Sequence, residues 1–155
     1  SSFYQTFESK LSLFELCLER YREILVGAMS EGLANAPSAM AFINFALVDV
    51  ANETNDPVGR RGCLLMNTAA EFAQRDPGIA RCVDAGIQAT RDVFLEAITE
   101  AQAAGDIASN ANTKVVADYL VTIVSGLKTQ VKAGASRDQV ANIAQLCVAA
   151  LQRMT

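Results

Sequence analysis

The sequence contains no histidine, and this absence narrows the chemistry that the chain could perform. A di-iron site in a helical bundle needs Glu-x-x-His pairs, and Ser-His and Cys-His nucleophiles need an imidazole base. Paired carboxylates remain, but Glu71, Asp76, Glu96 and Glu100 are expected at helix termini or on solvated faces. We therefore expect no enzyme, no metal site and no cofactor.

Cysteine pairs and long apolar runs are also missing. The four cysteines are scattered along the chain: Cys17, Cys63, Cys82 and Cys147. They form no C-x-x-C motif and no metal-ligand spacing, which favours a reducing compartment. Polar residues such as Asn44 and Lys128 interrupt the apolar segments before they reach membrane-spanning length, and no signal-peptide pattern is present. We expect a soluble, cytoplasmic protein without membrane contacts.

The chain has fewer basic than acidic residues. The chain has 13 Lys and Arg against 17 Asp and Glu, a formal net charge of -4. This balance argues against a body that coats nucleic acid through bulk charge, although a small basic end could still contact it. With 155 residues, 51% of them hydrophobic, the chain is long enough for one domain with a sizeable core.

Apolar residues recur at helical spacing from the start of the chain. Ser9 can cap a first helix that runs from Lys10 to about Leu33. Gly32 and Pro37 end this helix, and a second helix is predicted from Ser38 to Ala51. The first helix is long enough to join the two ends of a domain.

The middle of the chain predicts a loop and two further helices. N-E-T-N-D-P-V-G-R-R-G is polar and predicts a loop, whereas C-L-L-M-N-T-A-A-E-F-A-Q predicts a short and largely buried helix. Asp76 followed by Pro77 is a strong start signal, because Asp accepts free first-turn amides and Pro lacks one. The fourth helix should stop at Gly105.

Two more helices follow, and both begin with a capping residue. Asn112 can cap a fifth helix that ends at Gly134, and Ser136 with Gln139 forms a capping box before a sixth. No segment shows the alternation of a strand. The predicted fold class is all-α, a bundle of about six helices joined by short loops.

Four segments of the sequence resemble one family. S-F-Y-x-x-F-x-S-K-x-x-L-F, residues 2–14, resembles the end of the DNA-recognition helix and the start of the next helix in TetR/AcrR-family transcription regulators. G-C-L-L-M-N-T-A-A-E-F-A-Q-R-D-P (62–77), A-A-G-D-I (103–107) and K-A-G-A-S-R-D (132–138) are similar to the ligand-binding half of that family. The resemblance covers essentially the whole chain.

The resemblance implies a domain organisation and a mechanism. Residues 1–9 would be the remnant of a recognition helix whose helix-turn-helix is otherwise missing, and residues 10–155 the effector-binding and dimerisation domain. The implied function is a ligand-responsive repressor. A small hydrophobic or aromatic effector in the helical core would shift the recognition helices and release operator DNA. The implied partners are a second copy of the chain, double-stranded operator DNA and the effector.

The resemblance also implies roles for individual residues. Tyr4 and Lys10 match positions that approach the DNA backbone, and Ser2 and Gln5 are further candidates. Residues expected inside the bundle would line the effector pocket: Phe42, Phe45, Cys63, Met66, Asn67, Ile87, Thr90, Arg91 and Phe94. The last two helices would form the dimer interface with a set of mainly apolar residues: Tyr119, Ile123, Leu127, Val140, Ile143, Cys147 and Leu151.

Other interpretations stay open at this stage. Composition alone allows the last two helices simply to cover the core. The chain could be a dimeric helical module that binds small molecules or proteins without contacting DNA. Cys63, which follows Arg60 and Arg61, could instead act as a thiolate that senses oxidants or electrophiles.

Overall fold

The computed structural model describes residues 10–153, and its regular structure is helical. The α-helices are α1 (Lys10–Asn35), α2 (Ala39–Val48), α3 (Leu64–Phe72), α4 (Pro77–Ala104), α5 (Thr113–Lys132) and α6 (Arg137–Arg153). Two 3₁₀ helices, Asp49–Asn55 and Gly59–Arg61, lie between α2 and α3. No strand occurs within residues 10–153. The predicted all-α bundle is confirmed.

The helix boundaries follow the capping residues of the sequence. Asp76 accepts hydrogen bonds from the backbone N–H groups of residues 78 and 79 at 2.8 and 3.0 Å, and Pro77 opens α4. Asn112 accepts from Val115 at 3.3 Å. The Ser136 hydroxyl accepts from the Gln139 amide at 3.3 Å, and the Gln139 side chain accepts from the Ser136 amide at 3.4 Å. The predicted caps of α4, α5 and α6 are therefore confirmed, whereas Ser9, the predicted cap of α1, lies outside the described residues.

The segment after α2 departs from the prediction. The α-helix ends at Val48 rather than Ala51, and residues 49–55, partly predicted as loop, form a 3₁₀ helix. Thr54 Oγ1 donates to the carbonyl of Ala51 at 2.7 Å, and Val50 is buried. The tighter winding buries part of this polar stretch against α5 and α6, where its hydrogen bonds are satisfied locally.

Helix α3 is less buried than predicted. Only Leu65 and Thr68 of this helix are buried, and Glu71 is exposed. The helix packs mainly against α4 and lightly against α1, so one of its faces remains toward solvent. Its apolar composition was therefore a poor guide to the depth at which it lies.

Two apolar clusters form the interior. The larger joins the end of α1 with α2, α4, α5 and α6, and includes Phe42, Phe94 and Leu120. The smaller joins α1, α3 and the start of α4 around Leu18 and Leu65. Gly86 of α4 permits this packing, because a Cβ there would lie 2.6 Å from Leu65 Cδ1. Among residues 10–153, no helix is long and apolar enough to cross a membrane.

Candidate ligand-binding site

A cleft of three adjoining cavities lies where the two apolar clusters meet. The outer cavity, about 520 Å³, lies between the end of α1 and α2. The middle cavity, about 250 Å³, reaches α4 and α5, and the inner cavity, about 40 Å³, lies beside the start of α3. The outer and middle cavities share four lining residues: Gly32, Phe42, Phe45 and Asp49. The middle and inner cavities share Thr90, Val124 and Lys128.

Aromatic rings form the walls of the middle cavity. Phe42 and Phe94 are buried at its back, with ring centroids 6.2 Å apart and planes tilted by 43°. Phe45 lies one helical turn from Phe42, and 65% of its surface is exposed. Small-molecule sites are mostly apolar concavities of about 300–1,000 Å³. The outer cavity, about 520 Å³, falls within this range, and the middle cavity, about 250 Å³, adjoins it and lies just below the range.

Charged side chains line the middle cavity as well. Lys128 of α5 forms an ion pair with Glu53, and only 23% and 24% of their side chains are exposed. Asp49 accepts a hydrogen bond from Asn52 Nδ2 at 2.9 Å. Sequence reasoning missed all three as site residues. Lys128 could have been found, because it interrupts the apolar stripe of α5 beside Leu127.

The structure brings together seven of the predicted ligand residues. Four line the middle cavity: Phe42, Phe45, Thr90 and Phe94. Three others line the inner cavity together with Thr90: Cys63, Met66 and Ile87. Thr90 Oγ1 donates to the Gly86 carbonyl at 2.9 Å, so its oxygen keeps its capacity to accept a hydrogen bond from a ligand.

Two predicted ligand residues do not line the cleft, and the prediction is corrected for them. Asn67 donates to the Arg61 carbonyl at 2.9 Å and accepts from Lys132 at 2.6 Å, which ties α3 to the end of α5. Arg91 forms an ion pair with Asp118 on the outer surface of α4 and α5. Both side chains point away from the cleft, because their hydrogen-bond and ion-pair partners lie on other helices at the surface.

Cys63 lies at the inner cavity in contact with the half-buried phenol of Tyr21. Tyr21 Oη donates to Cys63 Sγ at 3.8 Å. Burial, followed by the proximity of Cys63, raises the pKa of Tyr21 to about 12, so the phenol stays neutral and remains a donor at ordinary pH. The Cys63 sulfur therefore has a fixed hydrogen-bond partner from α1.

The thiol-sensor hypothesis gives the first testable prediction. We expect peroxide or iodoacetamide to modify exposed Cys17 first and buried Cys147 last, because reagents must reach the sulfur. Cys82 is half-buried like Cys63, and burial together with Glu15 raises the pKa of its thiol, so it is the matched slow control. Peptide mass spectrometry measures the order. A Cys63 that stays unmodified while Cys17 reacts would remove the sensor hypothesis.

Comparison with known proteins places this arrangement in a family. The family model described as "Tetracyclin repressor-like, C-terminal domain" matches residues 45–147, which include most of the cleft. The chain belongs to the TetR family. The resemblance seen in the sequence is thus confirmed by a match that spans α2 to α6.

Individual relatives extend this finding. The uncharacterized HTH-type transcriptional regulator YezE of Bacillus subtilis (strain 168) is 26% identical over 120 residues, which cover 77% of this chain and 62% of YezE. The chain thus spans less than two thirds of that curated relative. Two structures of cysteine mutants of the TetR family transcriptional regulator CifR, complexed with 26-bp double-strand operator DNA, have the same fold. The TM-scores of the two matches are 0.84 and 0.83, each at 23% identity. The matches cover 96% and 97% of this chain and 78% of the CifR chain in both cases.

The residues predicted to contact DNA in this TetR-family chain lie at its start. Lys10 is exposed at the N-terminus of α1. Ser2, Tyr4 and Gln5 lie outside the described residues. Lys10 is therefore the residue of this group whose position the structure gives.

The predicted dimer residues fall on two faces of α5 and α6. Four are buried within the chain itself: Leu127, Val140, Cys147 and Leu151. Tyr119 and Ile123 are half-buried, and Ile143 is exposed. Val115 and Leu146, which the prediction did not include, are more exposed still. Both faces of these helices are apolar, so periodicity alone could not separate the core-facing side from the outward side.

Tyr119 joins α5 to α6 at the edge of this outward side. A hydrogen bond with the thiol of Cys147, assisted by burial, raises the pKa of Tyr119 to about 12. The phenol therefore stays neutral at ordinary pH and keeps this contact between α5 and α6. We call the exposed residues Val115, Ile143 and Leu146, together with half-buried Tyr119 and Ile123, the outward stripe.

Proposed function

We propose that this chain is the effector-binding and dimerisation part of a transcriptional regulator. In this proposal a small hydrophobic or aromatic molecule enters the cleft and lowers the affinity for operator DNA, as in a repressor. Family membership supports it, as do a relative named as a helix-turn-helix regulator and solved structures of a family member complexed with operator DNA.

One observation carries the proposal: α1 forms a wall of the cleft and also extends far beyond it. Ala28, Met29 and Gly32 of α1 line the middle cavity, and the same helix begins at Lys10. Eighteen residues of α-helix between Lys10 and Ala28 span roughly 27 Å at 1.5 Å per residue. A ligand that repositions this wall would move the end of α1 that the resemblance places beside DNA.

The coupling in this mechanism has a thermodynamic limit. A ligand shifts the equilibrium between the DNA-binding and released conformations only by its differential affinity for the two. Contacts with Met29 or Gly32 of α1 that exist in the released conformation alone would supply that difference. Helix α1 packs along α4 as extensively as α5 does, so a movement of α1 would be a shift along α4.

Homodimerisation through the outward stripe is part of the same proposal. The stripe presents the exposed apolar side chains of Ile143 and Leu146 on α6 and of Val115 on α5. A two-fold axis across these helices would pair each stripe with its copy as a four-helix arrangement. The four buried interface candidates, Leu127, Val140, Cys147 and Leu151, would pack behind the stripe in the core of the same chain.

Operator release tests the proposal. We expect a compound from a panel of small hydrophobic, aromatic and electrophilic molecules to raise the melting temperature of this chain in a dose-dependent way, by mass action. The same compound should release DNA from the longer protein that carries a helix-turn-helix, measured by fluorescence anisotropy on a DNA sequence selected from a random library.

Variants at exposed apolar positions make the test specific. Phe45→Ala should raise about tenfold the compound concentration needed for the same increase in melting temperature. Ile24→Ala, exposed on α1 outside the cleft, should leave that concentration unchanged. A compound that binds in the cleft without affecting DNA binding would favour the alternative, a dimeric small-molecule or protein-binding module that does not contact DNA.

A further inference from the structure

We infer that the effector is an aromatic or otherwise apolar molecule that carries a cationic group, such as a protonated amine. The inference rests on the proposed function and deepens it. Three charged side chains line the cleft, and two of them, Asp49 and Glu53, are acidic, while Lys128 is the basic one. The lining therefore carries one net negative charge.

Lys128 already forms an ion pair in the wall of the cleft. Its ammonium pairs with Glu53, and about three quarters of each side chain is withdrawn from solvent. An anionic ligand would have to take Lys128 away from Glu53 and leave that carboxylate unpaired in a partly buried wall. Removing one partner of such a pair is strongly unfavourable, because the remaining charge has lost both water and its counter-ion. The pair thus disfavours anions.

The basic side chains near the cleft do not change this balance. Lys132 is bound to Asn67, away from the cavities. Arg137 does not line the outer cavity, but it donates at 3.3 Å to Oδ1 of Asn52, a residue that does, and acidic Asp138 follows Arg137 in the chain. Neither Lys132 nor Arg137 lines a cavity of the cleft.

Asp49 is the carboxylate that can receive a cation. It lines both the outer and the middle cavity, and its recorded partner is the neutral amide of Asn52. No Lys or Arg among the described residues forms an ion pair with it. A ligand ammonium at Asp49 would therefore gain a counter-ion without breaking an existing pair.

Phe45 completes a site for that ammonium. The Asp49 amide donates to the Phe45 carbonyl, so the two residues lie one turn apart and both line the passage between the cavities. A cation close to the ring of Phe45 is attracted by its electron-rich face. The apolar body of the ligand would then occupy the middle cavity against Phe42 and Phe94.

A matched series of probes tests the sign of the charge. Naphthylmethylammonium, naphthylmethanol and naphthoate share one aromatic body and differ in their polar group. Isothermal titration calorimetry on this chain at low salt should show the ammonium binding about tenfold more tightly than the alcohol, and the carboxylate more weakly than both. Raising the salt concentration should reduce the affinity of the ammonium alone.

Two substitutions and one control test which residues cause the preference for a cation. Asp49→Asn keeps the hydrogen bond from Asn52, so it should weaken ammonium binding about tenfold while the alcohol binds as before. Unchanged alcohol binding also shows that the variant is folded. Asp84→Asn, exposed on α4 outside the cleft, is the matched control and should change neither affinity. Glu53→Gln should free Lys128 and strengthen naphthoate binding.

The outcomes separate this inference from the proposed function. If the alcohol or the carboxylate binds as tightly as the ammonium, the cleft stands and its preference for cations is overturned. The same holds if Asp49→Asn leaves ammonium affinity unchanged. If none of the three probes binds at millimolar concentration, the cleft is not a site for aromatic ligands, and the proposed function fails first.

Discussion

Replacing Phe94 by alanine is expected to lower the free energy of unfolding by about 3–5 kcal/mol. The ring is 1% exposed and lies in the larger apolar cluster against Phe42. Its removal loses the transfer free energy of the ring and leaves a cavity that the surrounding helices can fill only in part. Urea denaturation followed by circular dichroism measures the change as a lower midpoint at unchanged slope.

Phe45→Ala is the matched control, because it deletes the same atoms from the same cleft. Phe45 is 65% exposed, so its loss should change the free energy of unfolding by less than about 0.5 kcal/mol. The ligand effect should be large, since Phe45 stands between the outer and middle cavities. Similar destabilisation by both variants would show that Phe45 is covered in solution and that the opening of the cleft lies elsewhere.

Leu146→Asp is expected to convert a dimer of this chain into monomers. Leu146 is 68% exposed in the single chain and lies within the outward stripe of α5 and α6. A carboxylate at the centre of a symmetric apolar interface would face its own copy and lose water without gaining a partner. A loss of about 2 kcal/mol or more raises the dimer dissociation constant roughly thirtyfold. Sedimentation velocity at micromolar concentration measures it.

Val58→Asp provides the comparison for this experiment. Val58 is 65% exposed and apolar and is not part of the outward stripe, so the same charge there should leave the oligomeric state unchanged. A wild-type chain that sediments as a monomer at micromolar concentration would refute the interface. A dimer that tolerates aspartate at Leu146 but not at Val58 would move the interface to another surface.

Local signals were the most predictable part of this protein. Asp76 and Pro77 start α4, Asn112 starts α5, and Ser136 with Gln139 starts α6, as the sequence predicted. Each cap depends on atoms within three residues of one another, so the interaction can be recognised in the sequence before the fold is known. Helical spacing of apolar residues likewise predicted Phe42 and Phe94 inside the bundle, where both are buried.

The sequence could not show which residues meet across the bundle. Lys128 and Glu53 are 75 positions apart, and their pairing became visible only when α5 packed beside the 3₁₀ helix. The outward positions of Asn67 and Arg91 also depend on partners from other helices.

The sequence by itself determined the long α-helices and the starts of α4, α5 and α6, because these follow from short-range periodicity and capping, and its motifs carried the family resemblance. Only the tertiary structure decided which apolar face of α6 turns inward and placed Asp49 at the junction of two cavities. Burial and charge pairing are set by the helices packed against each residue, and neighbours in space are not neighbours in the chain.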